Sequence, residues 1–190
     1  MRLTDIAQQA IRSAVRAGDL AIDATAGNGH DTLFLAETVG PGGTVWACDL
    51  QEGAIAATRR LLDEKGIGTV RLIRGDHGAL LDELRKDAAG RVAAIMFNLG
   101  YLPGADKSIT TTAESTGTAL CHALELLRPG GVLTIVAYPG HAAGARESDV
   151  VDAFRDRLPT ASFATELVVG PPGRNPSPRL SIVRRIGCGG

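Results

Sequence analysis

The feature that most constrains this chain is a short apolar run that ends in an acid and breaks at once into a glycine turn. Leu20-Ala-Ile-Asp23 leads into Ala-Thr-Ala-Gly27-Asn28-Gly29, and a helical pattern starts at about Asp31. A strand that turns on glycines into a helix lets a ligand approach the backbone closely, because glycine has no Cβ in the way. About twenty residues further on, Thr44-Val-Trp-Ala-Cys-Asp49 reads as a second strand that also ends in an acid. A carboxylate at that place can accept hydrogen bonds from both hydroxyls of a ribose. Together these segments describe a nucleoside-binding α/β domain, with a glycine turn that holds no ligand as the bland alternative.

The residues also bear on which nucleoside. A dinucleotide fingerprint needs a third glycine, and its helix N-terminus faces a pyrophosphate. Here Thr32 stands at the third position, and Asp31 would set a negative charge against phosphate. A cationic ligand suits the site better. S-adenosylmethionine carries a sulfonium and an ammonium, which Asp23 and Asp31 would attract, so it is the expected cofactor. Cys48, Cys121 and Cys188 are far apart and odd in number. They form neither a disulfide framework nor a metal site, and they point to a reducing, cytoplasmic setting. No apolar run reaches the length of a membrane span, and no basic-then-apolar leader opens the chain.

A chain of 190 residues fits one domain. Helical spacing of apolar residues covers 4–17, and strands are expected at 20–24, 44–49, 70–74, 92–98 and 132–138. Helices fall between them at about 31–39, 51–65, 78–86, 111–127 and 146–157. Two last strands, 162–169 and 179–186, have no helix between them and should pair as an antiparallel hairpin. Val92-Ala-Ala-Ile-Met-Phe-Asn98 is nearly continuous in apolar residues, as a parallel strand covered on both faces must be. The expected fold is a single Rossmann-like domain over 1–186, with a mostly parallel seven-stranded sheet, a C-terminal antiparallel hairpin and helices on both faces. Residues 187–190 read as a frayed tail.

In an open sheet of this kind ligands sit outside the carboxyl ends of the strands. Polar residues collect at five such ends: Asp23 to Asp31, Asp49 to Gln51, Asp76-His77, Asn98 to Lys107, and Tyr138 to His141. Asp76 can take a hydrogen bond from an adenine amino group or cap the helix that follows it, and the two roles can coexist. His141 is either a proton acceptor or a residue that holds a loop or a phosphate. Arg174 and Asn175 lie in the hairpin loop, where a positive charge can meet backbone phosphates or simply face solvent. The net charge of −1 leaves no broad electrostatic footprint for nucleic acid, so any such contact is local.

Asn98-Leu-Gly-Tyr101 resembles the Asn-Pro-Pro-Tyr loop of methyltransferases that act on exocyclic amines, with Leu99-Gly100 in place of the two prolines. The resemblance implies that Asn98 and a neighbouring backbone carbonyl hold the target nitrogen and that Tyr101 stacks on the base. Over nearly its whole length the chain also resembles the bacterial class I methyltransferases labelled rRNA methylases. The matching segments are Asp23 to Ala36, Asp49-Leu-Gln51, Gly75-Asp-His77, Phe97 to Lys107, Tyr138-Pro-Gly-His141 and Asn175-Pro-Ser-Pro178. Pro171-Pro-Gly-Arg174 departs from the polar stretch expected before Asn175.

That resemblance implies that Asn28, Asp49, Gln51 and His77 hold the methyl donor. It further implies an enzyme that methylates the amine of 5-aminomethyl-2-thiouridine at the tRNA wobble position, in contact with the anticodon region. A homodimer is compatible with this reading. Two other readings stand beside it: a class I enzyme acting on rRNA or a small-molecule amine, and a nucleoside- or RNA-binding module without chemistry.

Overall fold

A computed structural model describes residues 2–100, 111–171 and 176–187. In chain order the elements are α1 (Leu3–Arg12), β1 (Leu20–Asp23), α2 (His30–Val39), β2 (Thr44–Asp49), α3 (Glu52–Glu64), β3 (Val70–Arg74), α4 (His77–Ala88) and β4 (Val92–Leu99). They continue with α5 (Ala113–Leu126), β5 (Leu127–Ala137), α6 (Ala142–Asp156), β6 (Phe163–Val169) and β7 (Arg179–Arg185). The sheet order is β3-β2-β1-β4-β5-β7-β6. β7 is antiparallel to both β5 and β6, while the remaining pairings are parallel. The expected hairpin is therefore present, with its second strand inserted between β5 and β6.

Two apolar layers cover the sheet. α1 and α2 pack on one face through Ala7, Ile11, Phe34, Leu35 and Val39, against Ala21, Val45, Met96 and Val136. α4, α5 and α6 cover the other face through Leu81, Leu120, Leu126 and Val151, against Ile22, Ile95, Phe97 and Leu133. Burial of a side chain of this size stabilises by about 1.5–3 kcal/mol, and the fully buried set spans both layers.

A local irregularity in β4 sets the geometry of the site. Leu20 pairs with Val92 and Ala21 with Ala94, so Ala93 is the extra residue of a bulge. Because side chains alternate along a strand, this shift decides which face every later β4 residue meets. Beyond it, Ala94 and Met96 face α1 and α2, while Ile95, Phe97 and Leu99 face α4 to α6. Asn98 therefore shares a face with Asp23, whose partner is Met96, and with Tyr138, which packs against the α1–α2 layer.

Three boundaries differ from the expectation by more than two residues. α1 ends at Arg12, where the chain turns at Ser13 toward the next strand. β5 starts at Leu127, so Arg128-Pro-Gly-Gly131 lies within the strand and Leu127 pairs with Val92. α6 starts at Ala142 because His141 caps it. Of the tail expected over 187–190, residues 188–190 lie outside the described residues.

Candidate active site

The glycine turn after β1 is built by packing from below. Gly27 and Gly29 have φ of 54° and 85°, a region that suits glycine. A Cβ on Gly29 would stand 2.9 Å from Thr58 Cα in α3, so the helix can sit this close only beneath a glycine. The buried Thr58 hydroxyl also donates to the Gly27 carbonyl at 3.2 Å.

Asp49 holds the turn from the side. Its Oδ2 accepts the Gly27 N–H at 2.9 Å, and its Oδ1 accepts the Gln51 N–H at 2.9 Å. An ionised carboxylate has about four acceptor positions, so two amides orient Asp49 and leave acceptor capacity on both oxygens. That is the arrangement a pair of ribose hydroxyls requires. Asn28 stands exposed at the crest of the turn.

Asp23 sits deeper than expected. It is 1% exposed, and its oxygens accept the Thr25 N–H at 3.0 Å and the Thr32 hydroxyl at 2.6 Å. Direct contact with a ligand is thus corrected to support of the turn and to its electric field. Burial, reinforced by the charges of Asp31 and Asp49, pushes its carboxyl up to about 7, against the hydrogen bonds of Thr32 and Thr25. Asp31 is half-buried on α2 and accepts a hydrogen bond from Gln8 Nε2 of α1 at 3.0 Å. Burial and the Asp31 charge also raise the Tyr138 phenol, which places that ring within the same negative field. Three carboxylates and a phenol therefore converge at the carboxyl ends of β1, β2 and β5.

The Asp76-His77 pair proves to be largely internal. Asp76 caps α4, accepting the Gly78 N–H at 2.8 Å and the Ala79 N–H at 3.1 Å through Oδ1. Its Oδ2 accepts the Ser115 hydroxyl of α5. Burial works the other way, yet the bonds from Ser115, Ala79 and Gly78 hold this carboxyl below its ordinary value. The His77 ring is 2% exposed and stands edge-on to Phe97, with centroids 5.4 Å apart. Burial lowers its basicity. A ligand contact by the imidazole is thereby corrected. What His77 can present is its main-chain N–H, which lies in the first turn of a helix and has no intrahelical partner.

Asn98 lies next to the end of β4. Its N–H donates to Thr25 Oγ1 at 2.7 Å, which ties the strand end to the glycine turn. Its amide is half-exposed on the Tyr138 side of the sheet. Leu99 is 2% exposed in the α4–α6 layer, so only its main chain can meet a substrate. A Cβ on Gly100 would come 3.0 Å from Tyr138 Cδ2, so the missing side chain lets the ring pack against the strand end.

Of the two readings of His141, a proton acceptor or a residue that holds a loop, the structure favours the second: it caps α6. Its Nδ1 accepts the Gly144 N–H at 3.0 Å. The Nδ1 lone pair is thereby taken up by the cap. Tyr101, Lys107, Arg174 and Asn175 lie outside the described residues. Gln8, Thr58 and Glu147 lie outside every motif of the sequence, and the supporting hydroxyls of Thr25 and Thr32 within the glycine-turn segment carry no signal of their own.

The strand order with its reversed β7, the glycine turn after β1 and the acid closing β2 define the class I methyltransferase fold. Residues 45–183 match the model of the family described as "Putative rRNA methylase", and the chain belongs to that family. A crystal structure described as a putative rRNA-methylase of Clostridium thermocellum is 36% identical, with a TM-score of 0.91 and 98% of each chain covered. A Streptococcus mutans protein described as a putative methyltransferase, in complex with SAH, is 33% identical at a TM-score of 0.86, over 98% of this chain and 99% of that one. An Arabidopsis thaliana protein, named chloroplastic tRNA (mnm(5)s(2)U34)-methyltransferase, is 39% identical over 172 residues. The match takes in 85% of this chain and 62% of that relative's length.

Proposed function

We propose that this chain is an S-adenosylmethionine-dependent N-methyltransferase acting on the aminomethyl group of 5-aminomethyl-2-thiouridine at the tRNA wobble position. The observation that carries the reading is the convergence on one face of Asn98, Tyr138 and the Asp23-Asp31-Asp49 carboxylates. A negative cradle beside a neutral amide acceptor suits a cationic donor and an amine substrate. The named activity of the Arabidopsis relative supports the same substrate class.

When bound, the cofactor supplies an electrophilic methyl group. Asp49 would take the ribose hydroxyls, and Gln51 would sit beside it. Gly27, Asn28 and Gly29 would line the amino-acid end, with Asp31 near its ammonium. The His77 N–H and the Asp76 cap would border the adenine.

On the substrate side, Asn98 Oδ1 and the main chain of Leu99 and Gly100 would accept hydrogen bonds from the amine. An alkyl amine with a pKa near that of lysine, about 10.4, is mostly protonated at neutral pH. Only its neutral form carries the lone pair, and a neutral acceptor orients it without favouring the ammonium as a carboxylate would. With the His141 ring committed to its cap, the proton leaves to water. Tyr101 would stack on the base, Tyr138 would wall the mouth, and Lys107, Arg174 and Asn175 would meet the anticodon region.

A tRNA substrate implies a cytoplasmic setting; no described helix is long and apolar enough to cross a membrane. The reading extends to a homodimer, which light scattering checks. Mass spectrometry of tRNA nucleosides from a deletion strain tests the function. Accumulated 5-aminomethyl-2-thiouridine, reversed by the gene, is expected; an unchanged tRNA profile with a missing rRNA methyl group would transfer the activity to rRNA.

A further inference from the structure

Glu147 is a carboxylate at an unusual place. It lies on the buried face of α6, is 2% exposed, and belongs to no motif. Burial of a charge without compensation is costly, so a buried acid is held by partners that satisfy it. Among the described residues its partners are hydroxyls. Oε1 accepts the Thr111 hydroxyl at 2.5 Å and the Thr116 hydroxyl at 2.8 Å.

The Thr116 bond leads on to α4. Thr116 Oγ1 lies 3.5 Å from His77 Nε2, and the His77 ring stands edge-on beneath Phe97. Phe97 directly precedes Asn98, whose own N–H is pinned by Thr25. Thr116 donates its proton to Glu147, so toward the ring its oxygen can only accept, and the same ring is also held by the main chain of Ala24 just past β1. A buried chain of contacts thus runs from Glu147 on α6 through Thr116 on α5 and His77 on α4 to Phe97, whose chain neighbour Asn98 lies on the opposite face of β4. Packed interiors transmit such displacements, since no void absorbs them.

We propose that Glu147 is a positioning residue for methyl transfer: by fixing Thr116, and through it the His77–Phe97 contact, it sets the orientation of the Asn98 amide. This rests on the functional reading above. Glu147 touches neither donor nor acceptor; it acts through the residues it holds.

The test compares Glu147→Ala, Glu147→Gln and Thr116→Val for kcat, KM and donor binding, together with amide hydrogen exchange at Phe97 and Asn98. Gln keeps an acceptor oxygen at the Oε1 position. Glu147→Ala and Thr116→Val should lower kcat by about 10- to 100-fold, the range expected for a small misplacement of a reacting group. Because the His77 N–H borders the proposed donor site, donor affinity should fall as well, but by less than kcat, whereas a general loss of structure would lower both alike. Glu147→Gln should recover most of kcat, and exchange at Asn98 should be faster in Glu147→Ala than in Glu147→Gln. Wild-type kcat in Glu147→Ala, a matching loss of donor affinity, or a Gln variant as poor as Ala would each overturn the proposal. If Glu147→Ala does not fold, Thr116→Val decides alone. If the wild-type protein leaves the RNA unmethylated, the functional reading fails, and the exchange measurement, which needs no RNA, still decides the positioning role.

Discussion

Replacement of Asp49 by alanine probes the donor side of the site directly. The carboxylate holds the Gly27 and Gln51 amides at 2.9 Å each, and the account assigns its remaining acceptor capacity to two ribose hydroxyls. Truncating one partner of a buried, hydrogen-bonded charged contact costs about 2–5 kcal/mol. At 1.4 kcal/mol per decade, donor affinity should fall by roughly 30- to 4,000-fold. Because Asp49 is only half-buried, water can replace part of what the two amides lose, so the lower half of that range is expected. Asp49→Asn should lie between wild type and Asp49→Ala: the amide oxygen can serve one main-chain N–H, while the NH2 group faces the other donor. Titration calorimetry with S-adenosylmethionine and with its demethylated product measures both variants. Affinities for Asp49→Ala within about twofold of wild type, in a protein that still melts cooperatively, would refute the reasoning.

Other consequences concern protons, caps and backbone. The native Asp23 carboxyl titrates at about 7, above its value in an unfolded chain. Native protein therefore holds a proton that unfolded chain has lost between about pH 4 and 7, so this group's contribution to stability falls as pH rises through that window. A cationic donor favours the ionised form, so affinity should tighten as pH rises through 7, by at most about tenfold per unit. Calorimetry in buffers of different ionisation enthalpy should show proton release, and Asp23→Asn should abolish both effects. His141→Asn keeps a favoured capping residue, so kcat and its pH profile should survive; His141→Ala should lose about 1 kcal/mol of stability in a thermal melt. Loss of a pH–rate limb in His141→Asn would restore that ring as a base. Gly29→Ala combines a φ of 85° with a Cβ 2.9 Å from Thr58 Cα. Left-handed strain of about 1–2 kcal/mol plus overpacking of about 1–3 kcal/mol should lower the melting temperature clearly.

The strands were legible because a parallel sheet covered on both faces demands apolar runs, and glycines punctuate their ends. Leu127–Gly131 was not legible: Arg128-Pro-Gly-Gly has the composition of a turn, yet pairing with β4 draws it into β5. The glycine turn and the places of Asp49 and Asn98 at strand ends were legible, because glycines and polar residues break the apolar runs there. The burial of Asp23 and His77 was not, since a strand end looks alike whether its side chain meets the mouth or the layer beneath it. The sequence leaves His141 between a proton acceptor and a loop holder, because an imidazole near a mouth suits both, and the Gly144 N–H on its Nδ1 shows the cap. Glu147 and its threonines carry no local signal, because their partners lie on other elements.

The central claim is that one mouth holds a methyl donor and presents an alkyl amine on tRNA to Asn98. Incubation of the purified chain and its Asn98→Ala variant with S-adenosylmethionine and tRNA bearing 5-aminomethyl-2-thiouridine, followed by nucleoside mass spectrometry, tests it most directly. The account predicts conversion to the 5-methylaminomethyl nucleoside by the wild-type chain. It also predicts a kcat for Asn98→Ala lower by about 100-fold, as removal of transition-state orientation implies, with donor affinity unchanged. Conversion at the wild-type rate by Asn98→Ala, or no conversion by a wild-type chain that binds the donor, would contradict it.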